Sequence, residues 1–191
     1  MQQVAASTIT TSEVWNEVIK RVAKQGNVPA SIEIAVLGNC NIGKTSLQLK
    51  YVDPTAKLKM EKIKTHGTDT KSVYVSIYGE TVTKVKIWDT AGQETHANIV
   101  GSYVKRLDAC LMVYDLTKRQ SYESIQKWIK QLSNTCDIPV VIVGNKCDLV
   151  DQREVPEAAL LEMGRRKNVH TFETSALTGH NVQNAFSCLI Y

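Results

Sequence analysis

Residues 32–45 read IEIAVLGNCNIGKT, an apolar run followed by a turn with two glycines and then by Lys44 and Thr45. The turn matches the pattern G-x-x-x-x-G-K-[ST], which is meaningful when a strand precedes it and a helix follows it. In that context, successive backbone N–H groups and the positive end of the helix form a site for phosphate groups. Lys44 is then expected to reach the β- and γ-phosphates of a nucleotide, and the Thr45 hydroxyl to bind Mg²⁺. The expected nucleotide contacts of this segment come from Asn39, Cys40, Asn41, Ile42, Gly43, Lys44, Thr45 and Ser46.

Strand-like and helix-like segments alternate outward from this loop. Strand-like runs occur at 32–37, 72–78, 82–88, 109–114, 139–143 and 169–172. Amphipathic helical spacing occurs at 121–132, from Val155 to about 167, and from 181 to 191. The second and third runs flank a Gly79-Glu80 turn, which predicts an antiparallel hairpin. The later runs alternate with helices and predict a parallel sheet, so residues 31–191 are expected to form a three-layer α/β domain.

The first thirty residues carry a separate helical pattern. A capping-box pattern at residues 10–13 precedes an apolar stripe that includes Val14, Val18 and Val22. Residues 1–30 are therefore predicted to form an N-terminal extension with a short amphipathic helix. We expect this helix to pack on the surface of the domain; a helix that lies on a membrane or binds a partner is the alternative.

Two further segments indicate which base the site selects. The sequence NKCD, residues 145–148, follows a buried strand, so it lies at the sheet edge where α/β proteins bind ligands. The Asp148 carboxylate can accept hydrogen bonds from N1–H and the 2-amino group of guanine, whereas adenine offers no such pair of donors. Lys146 is expected to lie along the base, and Asn145 to tie this loop to the phosphate loop. Backbone N–H groups that meet guanine O6 are expected from Ser175, Ala176 and Leu177.

The sequence DTAGQ, residues 89–93, ends the hairpin. Asp89 is expected to hold Mg²⁺ through a water molecule, and Gly92 to place a backbone N–H close to the γ-phosphate. Gln93 is expected to orient the water that attacks this phosphate. Together with the phosphate loop and the two base-side segments, this segment favours a GTP-hydrolysing site. A P-loop ATPase or kinase is the rival interpretation.

The four motifs, in this order, resemble those of the Ras superfamily of small GTPases, and most of all its Rab branch, over residues 31–191. The segments that carry the resemblance are 84–94, 114–117, 145–149 and 173–176. The resemblance implies a P-loop G domain whose six-stranded, mostly parallel sheet has helices, five in all, on both faces. It also implies binding of GTP and GDP with Mg²⁺, slow GTP hydrolysis, two nucleotide-sensing loops and a role in vesicle trafficking or a related regulatory pathway. The implied partners are effectors, exchange factors and GTPase-activating proteins.

The same resemblance completes the set of reacting residues. The catalytic residues are then Gln93, Lys44 and Thr65, and the Mg²⁺ ligands are Thr45, Thr65 and Asp89. Thr65 opens the sequence THGTD, residues 65–69, which matches the family's first switch only loosely. Thr68 and Thr55 are therefore alternatives for its role.

Several positions depart from the family pattern. Asn41 stands where relatives usually have glycine, and Cys40 beside it occupies a position where bulk obstructs an incoming catalytic arginine. Leu177 replaces a common lysine, and residues 95–98 of the second switch also differ. Asn41, Cys40 and the irregular switch segments motivate an alternative function, a GTP-binding scaffold or interaction module with little or no hydrolysis, whereas Gln93 and Thr65 favour hydrolysis.

Composition and charge limit the ligands and the location that we expect for this domain. The 191 residues carry a net charge of only +4, which suits anionic ligands but does not indicate nucleic acid. The five widely spaced cysteines indicate neither a disulfide framework nor a zinc site. We expect a cytoplasmic monomer, peripheral on membranes only through partners or a tail outside this sequence. Cys188 has C-a-a-X spacing, but it also continues an apolar helical stripe, and we favour the helix.

Overall fold

The computed structural model describes residues 31–58, 68–77, 81–90 and 106–190. Its six strands are β1 (Ser31–Leu37), β2 (Thr68–Ile77), β3 (Thr81–Thr90), β4 (Ala109–Asp115), β5 (Val140–Asn145) and β6 (His170–Thr174). The α-helices within these ranges are α1 (Lys44–Val52), α2 (Arg119–Ser133), α3 (Glu157–Lys167) and α4 (Val182–Ile190), and a 3₁₀ turn spans Val150–Gln152. The strands and helices predicted for the domain from the sequence patterns are present, with ends that shift by up to four residues. The resemblance implied five helices, and the described ranges contain four α-helices.

The strands form one sheet in the order β2-β3-β1-β4-β5-β6. Among the pairings of the described strands, only the β2–β3 hairpin is antiparallel, and the four others are parallel, as predicted. The central strand β1 pairs with β3 on one side and with β4 on the other. The connections therefore diverge at the carboxyl end of β1, the position at which open α/β sheets bind their ligands.

The two faces of the sheet carry separate cores. Along β1, Ile34 and Val36 belong to one core, and Ala35 and Leu37 belong to the other, because successive side chains of a strand point to opposite faces. Helices α1 and α4 cover the first face, and α2 and α3 cover the second. Because both faces are covered, the strands β1, β4 and β5 consist of nearly continuous apolar residues. The three-layer α/β prediction is confirmed.

The last helix settles the two interpretations of Cys188. Helix α4 runs through this residue and ends at Ile190, and the Cys188 side chain is only 6% exposed. Phe186 of the same helix stacks on Tyr51 of α1 with ring centroids 4.2 Å apart. The apolar stripe of this segment therefore packs on the first core, as the helical interpretation predicted.

Some predictions lie outside the described residues. These are the N-terminal helix within residues 1–30, the first-switch Thr65, and the pair Gly92 and Gln93. Within the described ranges, no helix has the length and apolar character needed to cross a bilayer.

The carboxylate of Asp108 beside β1, which is exposed at its surface but partly desolvated by its neighbours, provides a test of the fold's pH dependence. Asp108 accepts a hydrogen bond from the backbone N–H of Glu33 at 2.8 Å. Partial desolvation raises the pKa of Asp108 despite that hydrogen bond, and the Glu33 carboxylate raises it further. A raised folded-state pKa means that the charged form destabilises the fold at neutral pH and that protonation relieves this effect as the pH falls.

We therefore expect Asp108→Asn, which keeps an acceptor for Glu33, to raise the Tm at pH 7 by about 1–2 °C. The difference from the wild type should shrink as the pH falls towards 4, and thermal unfolding at several pH values measures it. Asp137→Asn, a change at an exposed aspartate, is the control and should shift Tm little. A lower Tm for Asp108→Asn at pH 7 would contradict the prediction.

Candidate nucleotide-binding site

The phosphate loop, residues 38–43, lies between β1 and α1 and depends on left-handed backbone. The φ angles are +136° at Gly38, +59° at Asn41 and +94° at Gly43. A Cβ at Gly38 would lie 2.1 Å from the carbonyl oxygen of Val113, so this glycine permits the close approach of the loop to β4. Asparagine tolerates left-handed backbone better than most residues, so Asn41 can hold the loop conformation.

The backbone N–H groups of the phosphate loop are available to a ligand. Among the described residues, none accepts a hydrogen bond from the N–H groups of residues 39–43. Gly43 precedes the first turn of α1, whose own N–H groups point the same way and add positive potential. Unpaired N–H groups in a curved loop at a helix N-terminus form a site that matches a phosphate group.

Lys44 lies inside the loop. Its ammonium group donates to the carbonyl oxygens of Gly38 at 3.0 Å and Asn39 at 2.7 Å. Burial lowers its pKa to about 8, although Asp89 and Cys40 raise it. An ammonium group has three N–H donors. Two of them donate to the carbonyl oxygens, so one is left for a ligand. A poorly hydrated cation aimed into an amide-lined loop gains much from an anionic phosphate.

The two described candidates for Mg²⁺ binding lie side by side. The Thr45 hydroxyl donates to Oδ2 of Asp89 at 2.5 Å, and Asp89 is fully buried. Both groups are oxygen donors, and Mg²⁺ in nucleotide sites takes one or two protein oxygens together with phosphate and water oxygens. The described residues contain no cluster of three or more His, Cys, Asp or Glu side chains that could hold a metal. The Thr45–Asp89 pair therefore fits a Mg²⁺ ion that is shared with bound phosphates.

Asn145, at the end of β5, joins the phosphate loop to the two base-side segments. Its amide nitrogen donates to the carbonyl oxygen of Ile42 at 2.9 Å. Its amide oxygen accepts from the Thr174 hydroxyl and from the Ala176 backbone N–H, both at 3.2 Å. Asn145 is 1% exposed, so loss of these hydrogen bonds would leave buried polar groups unpaired. The structure thus contains the link between the loops that the sequence led us to expect.

Lys146 follows Asn145 and spans the space between the phosphate loop and β4. Its ammonium group lies 2.6 Å from Oδ2 of Asp115 and 3.3 Å from the carbonyl oxygen of Asn41. Asp148 is partly exposed, and its carboxylate makes no hydrogen bond or ion pair with any other described residue. Its acceptor oxygens are therefore available to a ligand in the position where the sequence predicts guanine.

The segment after β6 has already used part of its hydrogen-bonding capacity. The backbone N–H of Ser175 donates to the carbonyl oxygen of His180 at 3.1 Å, and that of Ala176 donates to Asn145. Leu177 is 44% exposed, and its N–H has no acceptor within the described ranges. Of the three donors expected for guanine O6, only that of Leu177 is unoccupied in this structure.

Asp115 is a site residue that we did not predict. It is fully buried at the end of β4, and its Oδ1 accepts from the Thr117 N–H and hydroxyl at 2.9 and 2.7 Å. In the sheet it pairs directly with Asn145. One feature of the sequence could have identified Asp115. It is a carboxylate at the end of a buried strand, and the neighbouring strand leads into residues 145–148.

We expect Asp115→Asn to release Lys146. The amide oxygen could still accept from Thr117, but the amide NH₂ would then face the ammonium group, donor against donor. Loss of a hydrogen bond to a charged group is worth about ten- to a hundredfold in an equilibrium, so dissociation of a fluorescent GDP analogue should accelerate by that factor. The double variant with Lys146→Ala should dissociate no faster than Lys146→Ala alone. Additive effects of the two changes would contradict the pairing.

Comparisons with known proteins agree with this geometry. The model of the Ras family matches residues 33–191. Similar proteins include the Ras-related protein Rab-4 of Dictyostelium discoideum, 36% identical over 157 residues, which cover 81% of this chain and 75% of the relative. The Ras-related protein Rab-33A of Mus musculus is 38% identical over 164 residues, 82% of this chain and 68% of the relative. The GTP-binding protein YPT1 of Saccharomyces cerevisiae is 36% identical over 156 residues, 81% of this chain and 74% of the relative. The chain therefore belongs to the Ras family, and it is a Rab-like member of the small GTPases.

Proposed function

We propose that this chain is a molecular switch that binds GDP and GTP with Mg²⁺ and slowly hydrolyses GTP to GDP. The observation that carries the proposal is the Asn145 side chain, which links the phosphate loop at Ile42 to the base-side segment at Ala176. This link sets the distance between a polyphosphate subsite and a subsite with the Asp148 carboxylate. A nucleotide with a guanine base fits both subsites at once.

The reaction would depend on positioning and on charge stabilisation. The Lys44 ammonium group and the backbone N–H groups of the phosphate loop would stabilise negative charge that develops on the γ-phosphate. Thr45, Asp89 and Thr65 would hold Mg²⁺, which supplies further charge neutralisation when it is bound. Gly92 would add a backbone N–H at the γ-phosphate, and Gln93 would orient the attacking water.

The proposed slow rate rests on the absence of a catalytic arginine from the described part of the site. Among the described residues, no arginine makes a hydrogen bond or ion pair with the phosphate loop. In Ras-type enzymes, an arginine supplied by a partner accelerates hydrolysis by about 10³–10⁵-fold. We therefore propose that fast turnover of this protein requires a GTPase-activating partner.

A GTP-binding scaffold with little hydrolysis is the second candidate, and Cys40 favours it. This side chain is exposed on the phosphate loop, where bulk would obstruct an arginine from a partner. Release of phosphate from GTP-loaded protein in a single turnover separates the two functions. Slow release that Gln93→Leu suppresses supports the switch, whereas no release over many hours supports the scaffold. Displacement of labelled GDP by excess ATP would instead indicate an ATP-binding enzyme and contradict both.

The resemblance to Rab-like proteins supports a role in vesicle trafficking. We propose effectors, exchange factors and GTPase-activating proteins as partners of a cytoplasmic monomer that is peripheral on membranes. Capture of partners on protein loaded with a GTP analogue, compared with GDP-loaded protein, tests this role. The same capture without residues 1–30 tests whether the N-terminal extension contributes. Partners that bind both nucleotide forms equally would contradict a switch.

A further inference from the structure

The side chain of Asn39 attaches the phosphate loop to helix α2. Its amide oxygen accepts from the Trp128 indole N–H at 2.8 Å, and its amide nitrogen donates to the Ser124 hydroxyl at 3.2 Å. Ser124 and Trp128 are four residues apart, so both side chains lie on one face of α2. These contacts join positions 85 and 89 residues apart in the sequence, and none of the nucleotide-binding motifs contains the two α2 residues.

The donors and acceptors in this contact match in one arrangement only. An indole N–H can only donate, so it requires the amide oxygen of Asn39 to face it. The amide nitrogen must then face Ser124, whose own hydroxyl donates to the carbonyl oxygen of Gln120 at 2.9 Å. The hydrogen bonds run from the Trp128 indole through Asn39 and Ser124 to the Gln120 carbonyl. Each polar group in this series therefore has a partner of the correct kind. Trp128 is 8% exposed and belongs to the second core, so the anchor on α2 is rigid.

The side-chain contacts of Asn39 are independent of its other contact, to Lys44. In this structure the carbonyl oxygen of Asn39 is held by the Lys44 ammonium group at 2.7 Å. A bound polyphosphate competes for the same ammonium group, because phosphate is the stronger acceptor. The side-chain contacts of Asn39 do not involve Lys44, so they persist when that ammonium group turns towards the phosphates.

We infer that Ser124 and Trp128 are positioning residues for the phosphate loop, which act through Asn39 and make α2 a determinant of how long a nucleotide stays bound. Asn145 and Lys146 hold the far end of the loop at Ile42 and Asn41, and α2 holds its near end. This inference rests on the proposed nucleotide-binding function. It assigns to α2 a role in nucleotide retention beyond its packing in the core.

Dissociation of a fluorescent GDP analogue in the presence of Mg²⁺ tests the inference. Trp128→Phe removes the indole N–H, and Ser124→Ala removes the hydroxyl, so each variant loses one hydrogen bond to Asn39. Each should dissociate about two- to tenfold faster than the wild type, and Asn39→Ala, which loses both, should be faster than either. Asn39→Asp keeps an acceptor for the indole and should recover part of the wild-type rate.

A control on the same helix separates nucleotide retention from general stability. Tyr122 of α2 donates its hydroxyl to the carbonyl oxygen of Ala159 at 3.1 Å, away from the phosphate loop. Tyr122→Phe therefore removes one hydrogen bond from α2 and should leave the dissociation rate unchanged. Asn39→Ala combined with Trp128→Phe should be no faster than Asn39→Ala alone, whereas the combination with Tyr122→Phe should show no coupling.

A spectroscopic measurement reports the contact directly. The chain has three tryptophans, and Trp128→Phe identifies the Trp128 indole N–H signal in a ¹H–¹⁵N spectrum. That signal should shift in Asn39→Ala. The inference fails if Asn39→Ala binds GDP and releases it at the wild-type rate, or if the indole signal does not shift in that variant. A wild-type protein that binds no GDP at all would instead refute the proposed function itself.

Discussion

Gly43→Ala is expected to lower the affinity for GDP by about a hundredfold or more. The backbone at Gly43 has φ of +94°, a conformation that costs a residue with a side chain about 1–3 kcal/mol. The new Cβ would also lie 2.4 Å from the amide nitrogen of Asn145. Asn145 would have to move, and its hydrogen bond to Ile42 would be lost together with its link to the base-side segment. Titration with a fluorescent GDP analogue measures the affinity.

Gly179→Ala is the matched control for this change. Gly179 has a similar φ of +87°, but a Cβ there would meet only the flexible end of Lys50, at 3.2 Å. Both variants should have a lower Tm because both strain the backbone. Only Gly43→Ala should lose most of its affinity for GDP. Equal losses of affinity in the two variants would show that backbone strain, and not displacement of Asn145, is the cause.

Asp148→Asn is expected to change the preferred base from guanine to xanthine. The carboxylate would accept two hydrogen bonds from guanine, and an asparagine amide would oppose one of these donors with a donor of its own. A site built to hydrogen-bond its substrate rejects a mismatched one by up to about 10⁴–10⁵-fold, so we expect the affinity for GDP to fall by at least about 10³-fold. Xanthine carries an oxygen in place of the 2-amino group and so matches the amide. Competition between XDP and GDP for the labelled site measures the preference.

Asp151→Asn makes the same chemical change three residues further along, at an exposed position in the Val150–Gln152 turn. It should leave the preference for GDP unchanged. An Asp148→Asn protein that still binds GDP within tenfold of the wild type and gains no affinity for XDP would remove guanine recognition from this residue. Recognition of guanine would then depend on another residue of the site.

The sequence was sufficient to predict the order of strands and helices and the place of the phosphate loop. Both depend on local patterns: apolar runs bounded by turns, and glycines at positions of left-handed backbone. The run before Gly38 is β1, and the loop leads into α1. The resemblance in four motifs was also sufficient to predict the Ras-family membership that the comparisons show.

The contacts that unite the site were harder to predict. Asp115 was missed because nothing local shows that its carboxylate meets Lys146, which lies 31 positions further along the chain. The contact of Asn39 with Trp128 depends on how α2 packs across the sheet, and that packing follows from the whole core. The roles of the site residues, including Thr65, Gly92 and Gln93, stay predictions until they are tested by mutation.

The hydrogen bond between Asn145 and Ile42 joins residues 103 positions apart, and this separation has a consequence for protein synthesis. Ribosomes add about 5–20 residues per second, so the phosphate loop leaves the ribosome roughly 5–20 s before Asn145 does. During that interval the nascent chain carries half of a pocket and no means of retaining GTP. Cellular nucleotide can therefore act as a folding ligand only after translation has passed β5, and variants weakened in the early strands gain no protection from it before then.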